Sequence, residues 1–292
     1  MLSAEIIAKI KTLDLRARHA ATDLMAGEYA SRFHGRGMEF HEVREYVPGD
    51  DVRGIDWNVT ARMSQPFIKV FREERELTIM LVIDVSASLE SGARRPRRET
   101  VAELASILAW LALRGQDRVG LLLFSAGVEH FVPPRKGRGH VMRVIGDILT
   151  WSPRERSTNL AAPLEHLSKT LRRKSVCFFV SDFLAPIPSG LLRQTARRHD
   201  LTCVRVGPVH EDALCDGGVL MIRDRETGIV REIDTSTRAY RRDVEARILN
   251  DAKKFRDVME QAGAGVLRLD ERQDIVDQVA AYLRAGTRGR AR

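Results

Sequence analysis

The sequence predicts an α/β protein: a doubly wound, mostly parallel six-stranded sheet with a small β-rich appendage. Three observations carry this. From residue 76 onward, short apolar runs alternate with longer segments of helical periodicity, the pattern of βα units in a parallel sheet. The runs are continuous in apolar character, as in Ile79–Ile83, so both faces of those strands are covered. Two segments, residues 1–75 and 217–234, stand outside the alternation and supply the appendage.

Taken in order, residues 1–25 read as an amphipathic helix, followed by a Gly- and charge-rich stretch. Within that stretch, "GMEFHEVREYV" and "QPFIKVFREE" alternate like exposed strands. "ELTIMLVID" is the first sheet strand. The helix after it, from Arg97 to Leu113, carries Val101, Leu104, Ile107, Leu108 and Leu111 on one stripe. "DRVGLLLFSA" and "GVEHFVPP" are close enough to form a hairpin, which makes the third strand antiparallel to the second. Helices follow near 138–150 and 160–172. "SVCFFVSD" is the fourth strand, 188–198 a helix, "LTCVRVG" the fifth strand, "GVLRLD" the sixth, and "QDIVDQVAAYLR" the last helix. "GGVLMIRDRETGIVREID" (217–234) reads as a β-hairpin inserted into the domain. The expected organisation is therefore an appendage at 1–75, packed against that hairpin, a main domain at 76–285 and a basic tail at 286–292.

Composition narrows the function classes. Hydrophobic content of 43% and charged content of 30% over 292 residues describe a globular protein with ample core. No apolar run approaches the roughly 20 residues of a membrane span. The N-terminus lacks the apolar stretch of a signal peptide, which predicts the cytoplasm. Cys177, Cys203 and Cys215 have no metal-type spacing and read as reduced thiols. The net charge of +8 comes from clusters such as "RRPRR" (94–98) and "LRRK" (171–174). Acidic residues are interspersed and aromatics scarce, so these clusters read as solvated faces or a surface for an acidic partner, not for nucleic acid.

The first strand ends on Asp84, with Ser86 and Ser88 at alternate positions beyond it. Helix capping is one use for these residues. Another is ligand binding, since open α/β sheets bind ligands at the carboxyl ends of strands. The fourth strand also ends on a carboxylate, Asp182, and "RSTNLAAPL" places Thr158 at a helix start. Asp84, Ser86, Ser88, Thr158 and Asp182 then meet at one sheet edge as hard oxygen ligands, a set suited to Mg2+ or Mn2+. Neutral hydroxyls leave such a metal electrophilic, open to a carboxylate from a partner protein. Arg94, Arg95, Arg97 and Arg98, just after the first of these loops, are the candidates for steering that partner.

The spacing D-x-S-x-S at Asp84–Ser88, the threonine of "TNL" and the aspartate ending the fourth strand resemble the metal-ion-dependent adhesion site of von Willebrand factor A domains. The resemblance spans residues 76–285 and implies that fold and a metal-bridged protein interaction. Arg156-Ser157 and Phe183 stand where that family often has glycines. A second block, "GRGMEFHEVREYVPGDDVRGIDWNVTARMSQPFIKVFREERE" (35–76), resembles the signature of domain-of-unknown-function family 58 in bacterial proteins. That resemblance implies partnership with a MoxR-type AAA+ ATPase or its client, as adaptor or co-chaperone. Physically, Pro48 and Gly49 supply a turn, Asp50 and Asp51 can cap it, and Arg53, Asp56 and Trp57 suit an ion pair beneath an aromatic ring. His34 and His41 match no metal motif.

Catalytic readings fare less well. A dehalogenase-type phosphatase needs an aspartate two residues after the first, and position 86 is serine. Neither a G-x-S-x-G elbow nor a phosphate-binding P-loop occurs. The expected chain is thus not an enzyme. The alternatives are a metal-dependent hydrolase using the same oxygens, or a vestigial site in a protein that binds through its appendage.

Overall fold

The computed structural model describes residues 4–25, 39–63, 65–72, 76–90, 96–207, 218–223, 228–270 and 272–289. At its centre lies a six-stranded sheet of β3 (Thr78–Asp84), β4 (Arg118–Phe124), β5 (Val128–Arg135), β6 (Val176–Ser181), β7 (Asp200–Val206) and β10 (Gly265–Leu269). The spatial order is β10-β7-β6-β3-β4-β5. Every pairing is parallel except that of β4 with β5, as the short connection between them requires. The chain builds outward from β3 through β4 to β5, then returns to the other side of β3 at β6. The topological switch point therefore lies at the carboxyl end of β3, where Asp84 stands.

Alternate side chains of β3 feed two separate cores, because successive strand residues point to opposite faces. Ile79, Leu81 and Ile83 join one core with helices α1 (Ala4–Met25), α3 (Arg97–Arg114), α4 (Arg138–Thr150) and α8 (Ile275–Gly289). Met80 and Val82 join the other with α5 (Ala161–Thr170), α6 (Ser189–Arg198) and α7 (Arg238–Ala262). Cys177 and Cys203 are free, buried thiols of this second core. Burial pushes both up, Cys177 to about 12, so they are inert at neutral pH. Cys215 lies outside the described residues.

Two features correct the sequence expectations. Helix α1 is not part of an appendage: Ala17, Ala20, Ala21 and Leu24 are buried in the first core, against α3. That explains why α3 is buried all round from Thr100 to Ala112 instead of along one stripe. Glu103, on the α1-facing side, is 2% exposed and pairs with Arg16 at 3.0 Å. Second, α7 was not anticipated. Among its described residues only Phe255, Met259 and Ala262, in the last turns, are buried hydrophobics, so its apolar signal is short. Its ends were nonetheless marked: Thr237 caps the start through the Tyr240 amide, and Gly263 adopts the left-handed conformation at the finish.

The remaining pieces form two small antiparallel sheets. β1 (Glu39–Glu45) pairs with β2 (Phe67–Arg72), and β8 (Val219–Arg223) pairs with β9 (Val230–Asp234). They are separate two-stranded sheets rather than one. Between β1 and β2, Arg44 makes a two-pronged contact with Asp50 (2.7 and 2.8 Å), which also accepts from the Val47 amide and closes the Pro48-Gly49 turn. Asp56 caps α2 (Trp57–Met63) through the Asn58 and Val59 amides. The Arg53 side chain of the expected ion pair lies outside the described residues, and Trp57 is 71% exposed. Among the described residues, no helix is long and apolar enough to cross a membrane.

Candidate functional site

The site is built from three chain segments at the switch point. The first is the turn after β3. Asp84 is buried, and its Oδ1 accepts from the Ser86 amide at 2.8 Å, folding the chain into a short 3₁₀ turn over Ala87–Glu90. The turn sets the Ser86 and Ser88 hydroxyls 3.1 Å apart. Asp84 is thus both a local cap and a strand-end carboxylate, and the capping use does not exclude the binding use.

The second segment is the end of β6. The Ser181 hydroxyl donates to Asp84 Oδ2 at 2.8 Å and accepts from the Phe183 amide at 3.1 Å. This joins the two strand ends directly. Asp182 follows, 4% exposed, with Oδ1 accepting from the Leu184 amide. Its Oδ2 is buried and has no hydrogen-bond partner among the described residues. A buried carboxylate oxygen left in this way is costly unless a cation compensates it.

The third segment is the loop 151–160. Ala87 N–H donates to the Arg156 carbonyl at 3.2 Å, tying this loop to the first turn. Asn159 N–H donates to the Ser125 carbonyl at 2.8 Å, tying it to the end of β4. Thr158 lies between these two ties. The structure therefore brings the segments carrying Asp84, Ser86, Ser88, Thr158 and Asp182 to one place.

The electrostatics match the geometry. Burial is the largest influence on Asp84 and raises its carboxyl to about 6; hydrogen bonds from Ser86 and Ser181 pull down, and the neighbouring Asp182 charge pushes up. Two carboxylates beside each other in a poorly solvated place, surrounded by hydroxyls, make a cation-seeking site. Among the described residues, no group of three or more His, Cys, Asp or Glu side chains is placed to hold a metal. A cation held here would draw its compensating charge from the two aspartates, with hydroxyl oxygens to complete the set. That donor chemistry fits Mg2+ or Mn2+.

Phe183 occupies the position after Asp182 with φ of 55°, a left-handed conformation that costs a non-glycine residue about 1–2 kcal/mol. Its ring is buried between Phe179 and Phe255, at centroid distances of 5.6 and 5.0 Å. Losing such a ring costs about 3–5 kcal/mol, so packing outweighs strain. Phe183→Gly should therefore destabilise the protein by about 2 kcal/mol or more in urea unfolding. Equal or greater stability would show that the ring contributes little. The turn also sets Leu184 at the rim of the site, 65% exposed.

The four arginines of the sequence reading divide. Arg94 and Arg95 lie outside the described residues. Arg98 is not presented to a partner: its guanidinium donates to the Ile148 and Trp151 carbonyls at the end of α4. Arg97 lies half-buried against Gly207, at the end of β7. Sequence reasoning also left out Ser181, which joins the two strand ends, and Glu129, whose carboxylate accepts from the Ser125 hydroxyl and the Arg154 amide of the loop 151–160. Ser181 could have been suspected from its place beside Asp182; the role of Glu129 depends on a loop about 25 residues away and left no sequence signal.

The family model described as "Protein of unknown function DUF58" matches residues 42–254. The uncharacterized protein Rv1480 of Mycobacterium tuberculosis (strain ATCC 25618 / H37Rv) is 32% identical, over 98% of this chain and 91% of that protein. The uncharacterized protein MAV169 of Mycobacterium avium is 27% identical, over 54% and 95%. Among solved structures, BatB from Bacteroides thetaiotaomicron covers 73% of this chain and 99% of its own, at 13% identity and a TM-score of 0.49. Proximal thread matrix protein 1 from the mussel byssus, with a zinc-occupied MIDAS motif, covers 45% and 38%, at 14% identity and a TM-score of 0.36. Likenesses of this degree carry no argument about the site, which rests on its own residues.

Proposed function

This chain belongs to the DUF58 family, and we propose that it acts as a protein-interaction module whose strand-end site binds Mg2+ or Mn2+ and, through the metal, an acidic residue of a partner. The observation that carries this is the buried Oδ2 of Asp182, without a hydrogen-bond partner among the described residues, beside the buried Asp84. Asp84 and Asp182 would supply the charge, and Ser86, Ser88 and Thr158 neutral oxygens. Such a metal keeps Lewis acidity for an incoming carboxylate. The exposed Leu184 gives the same rim an apolar contact.

The family resemblance implies a MoxR-type AAA+ ATPase, or its client, as partner. A hydrolase would need a general base beside these oxygens. The neighbouring Glu129 carboxylate has both oxygens engaged by donors, and no observation favours that alternative.

The test is binding of a purified MoxR-type ATPase to the immobilised protein in Mg2+ and in EDTA, with wild type and Ser86→Ala. We expect Mg2+-dependent retention, with Ser86→Ala dissociating about tenfold faster, the loss of about 1.4 kcal/mol. Retention unaltered by both EDTA and Ser86→Ala would end the metal-bridged mode.

A further inference from the structure

Glu129 stands on β5, the edge strand, and contributes no oxygen to the five-ligand set. Its carboxylate nevertheless collects four donors. Oε1 accepts from the Ser125 hydroxyl, from the Arg154 amide at 2.9 Å and from the Glu155 amide at 3.4 Å. Oε2 accepts from the Trp151 indole at 2.9 Å and from the Arg154 amide at 3.0 Å. Burial acts against this charge, yet the donors from Ser125, Trp151, Arg154 and Glu155 prevail and hold the carboxyl below its usual range.

The donors share a location. Trp151, Arg154 and Glu155 belong to the loop that delivers Thr158, and Ser125 is the residue whose carbonyl receives the Asn159 amide. Glu129 thus grips the loop on the N-terminal side of Thr158 and, through Ser125, the strand end that holds its C-terminal side. Ala87 ties the loop's centre at Arg156 to the turn bearing Ser86 and Ser88. A loop of this length with no regular structure has many conformations to lose on ordering. The ordering cost is met in folding when an internal anion fixes the loop; otherwise it falls on metal binding.

We propose that Glu129 is a positioning residue of the metal site: it acts through the loop 151–160 to hold Thr158 ready for the cation. This rests on the metal-binding reading above and adds to it a residue that never touches the metal. The bland alternative is a surface carboxylate that stabilises a loop without consequence for the site. The two differ in whether the effect of Glu129 passes through Thr158.

The experiment is Mn2+ titration by electron paramagnetic resonance on full-length wild type, Glu129→Gln, Thr158→Ala and the double variant. It is run well below the melting transition, with folding checked by near-ultraviolet circular dichroism. Glutamine keeps the shape but turns an N–H toward the loop amides and removes the charge. Loss of a group that orients metal ligands typically weakens affinity about 10–100-fold, and that is the expected change for Glu129→Gln. In the Thr158→Ala background the same substitution should have an effect near onefold, because the residue through which it acts is gone. Unchanged Mn2+ affinity in Glu129→Gln, or full additivity with Thr158→Ala, overturns the proposal while the site reading stands. Absence of Mn2+ binding by wild type overturns both.

Discussion

Replacing Asp84 with asparagine should abolish divalent-cation binding and, in the absence of metal, make the protein more stable at neutral pH. The reasoning begins with the raised carboxyl, at about 6 in the folded protein against an ordinary 3.8. A folded-state value above the unfolded one means that the folded protein holds its proton more tightly. The resulting stability is fully present below about pH 4 and is lost as pH rises through about 6. A shift of about two units corresponds to about 3 kcal/mol lost across that window. At pH 7.5 the metal-free protein therefore carries a charge that its surroundings disfavour.

An asparagine in place of Asp84 would keep the acceptor for the Ser86 amide, and the Ser181 hydroxyl can rotate to accept instead of donate. With no charge to desolvate, the variant should gain about 2–3 kcal/mol over wild type in EDTA at pH 7.5, and only about 1 kcal/mol at pH 4.5. Wild type should recover with metal, by about 2.7 kcal/mol when the cation is at a hundred times its Kd, while the variant does not respond. Urea unfolding at both pH values, with and without Mg2+, measures all of this. A variant less stable than wild type in EDTA at pH 7.5 would show that Asp84 is well accommodated as an anion without a cation. The site reading would then lose its electrostatic basis.

The same residue shows how far the sequence could be read. The aspartate at the end of a continuous apolar strand, the second at the end of β6 and the threonine in a loop before a helix were all visible, because strand ends are marked where apolar character stops. The parallel character of the sheet followed from alternation, and its one antiparallel pair from the short connection between β4 and β5. What was hidden depends on surroundings rather than pattern. Arg98 looked like a free charge in a basic run, and only the folded chain places it on the carbonyls that end α4. Glu129 looked like one acidic residue among 40. Helix α7 hid because most of its surface is polar and only its final turns reach the core.

Helix α1 is the case with the largest energetic consequence. Read alone, its Ala17, Ala20 and Ala21 face is weakly apolar, so the segment looked detachable together with the strands that follow. In the fold these small side chains permit close approach to α3, and Leu24 is 4% exposed in the same contact. Deleting residues 1–25 would therefore uncover one side of a helix that is otherwise buried throughout and strip Glu103 of its Arg16 partner. Burying Leu24 alone is worth about 1.5–3 kcal/mol, and losing the Arg16 partner of the buried Glu103 adds to that. That is comparable to the total stability of about 5–15 kcal/mol of a domain. The chain beginning at residue 26 should lose cooperative thermal unfolding and near-ultraviolet dichroism, and with them the metal site, because α3 begins a few residues beyond the Ser86–Ser88 turn. In the full-length chain, Ala21→Arg should act in the same direction, since position 21 has no exposed surface to receive a charge. A shortened chain that unfolds cooperatively within a few degrees of wild type would show that α1 is a removable cover, and would return it to the appendage.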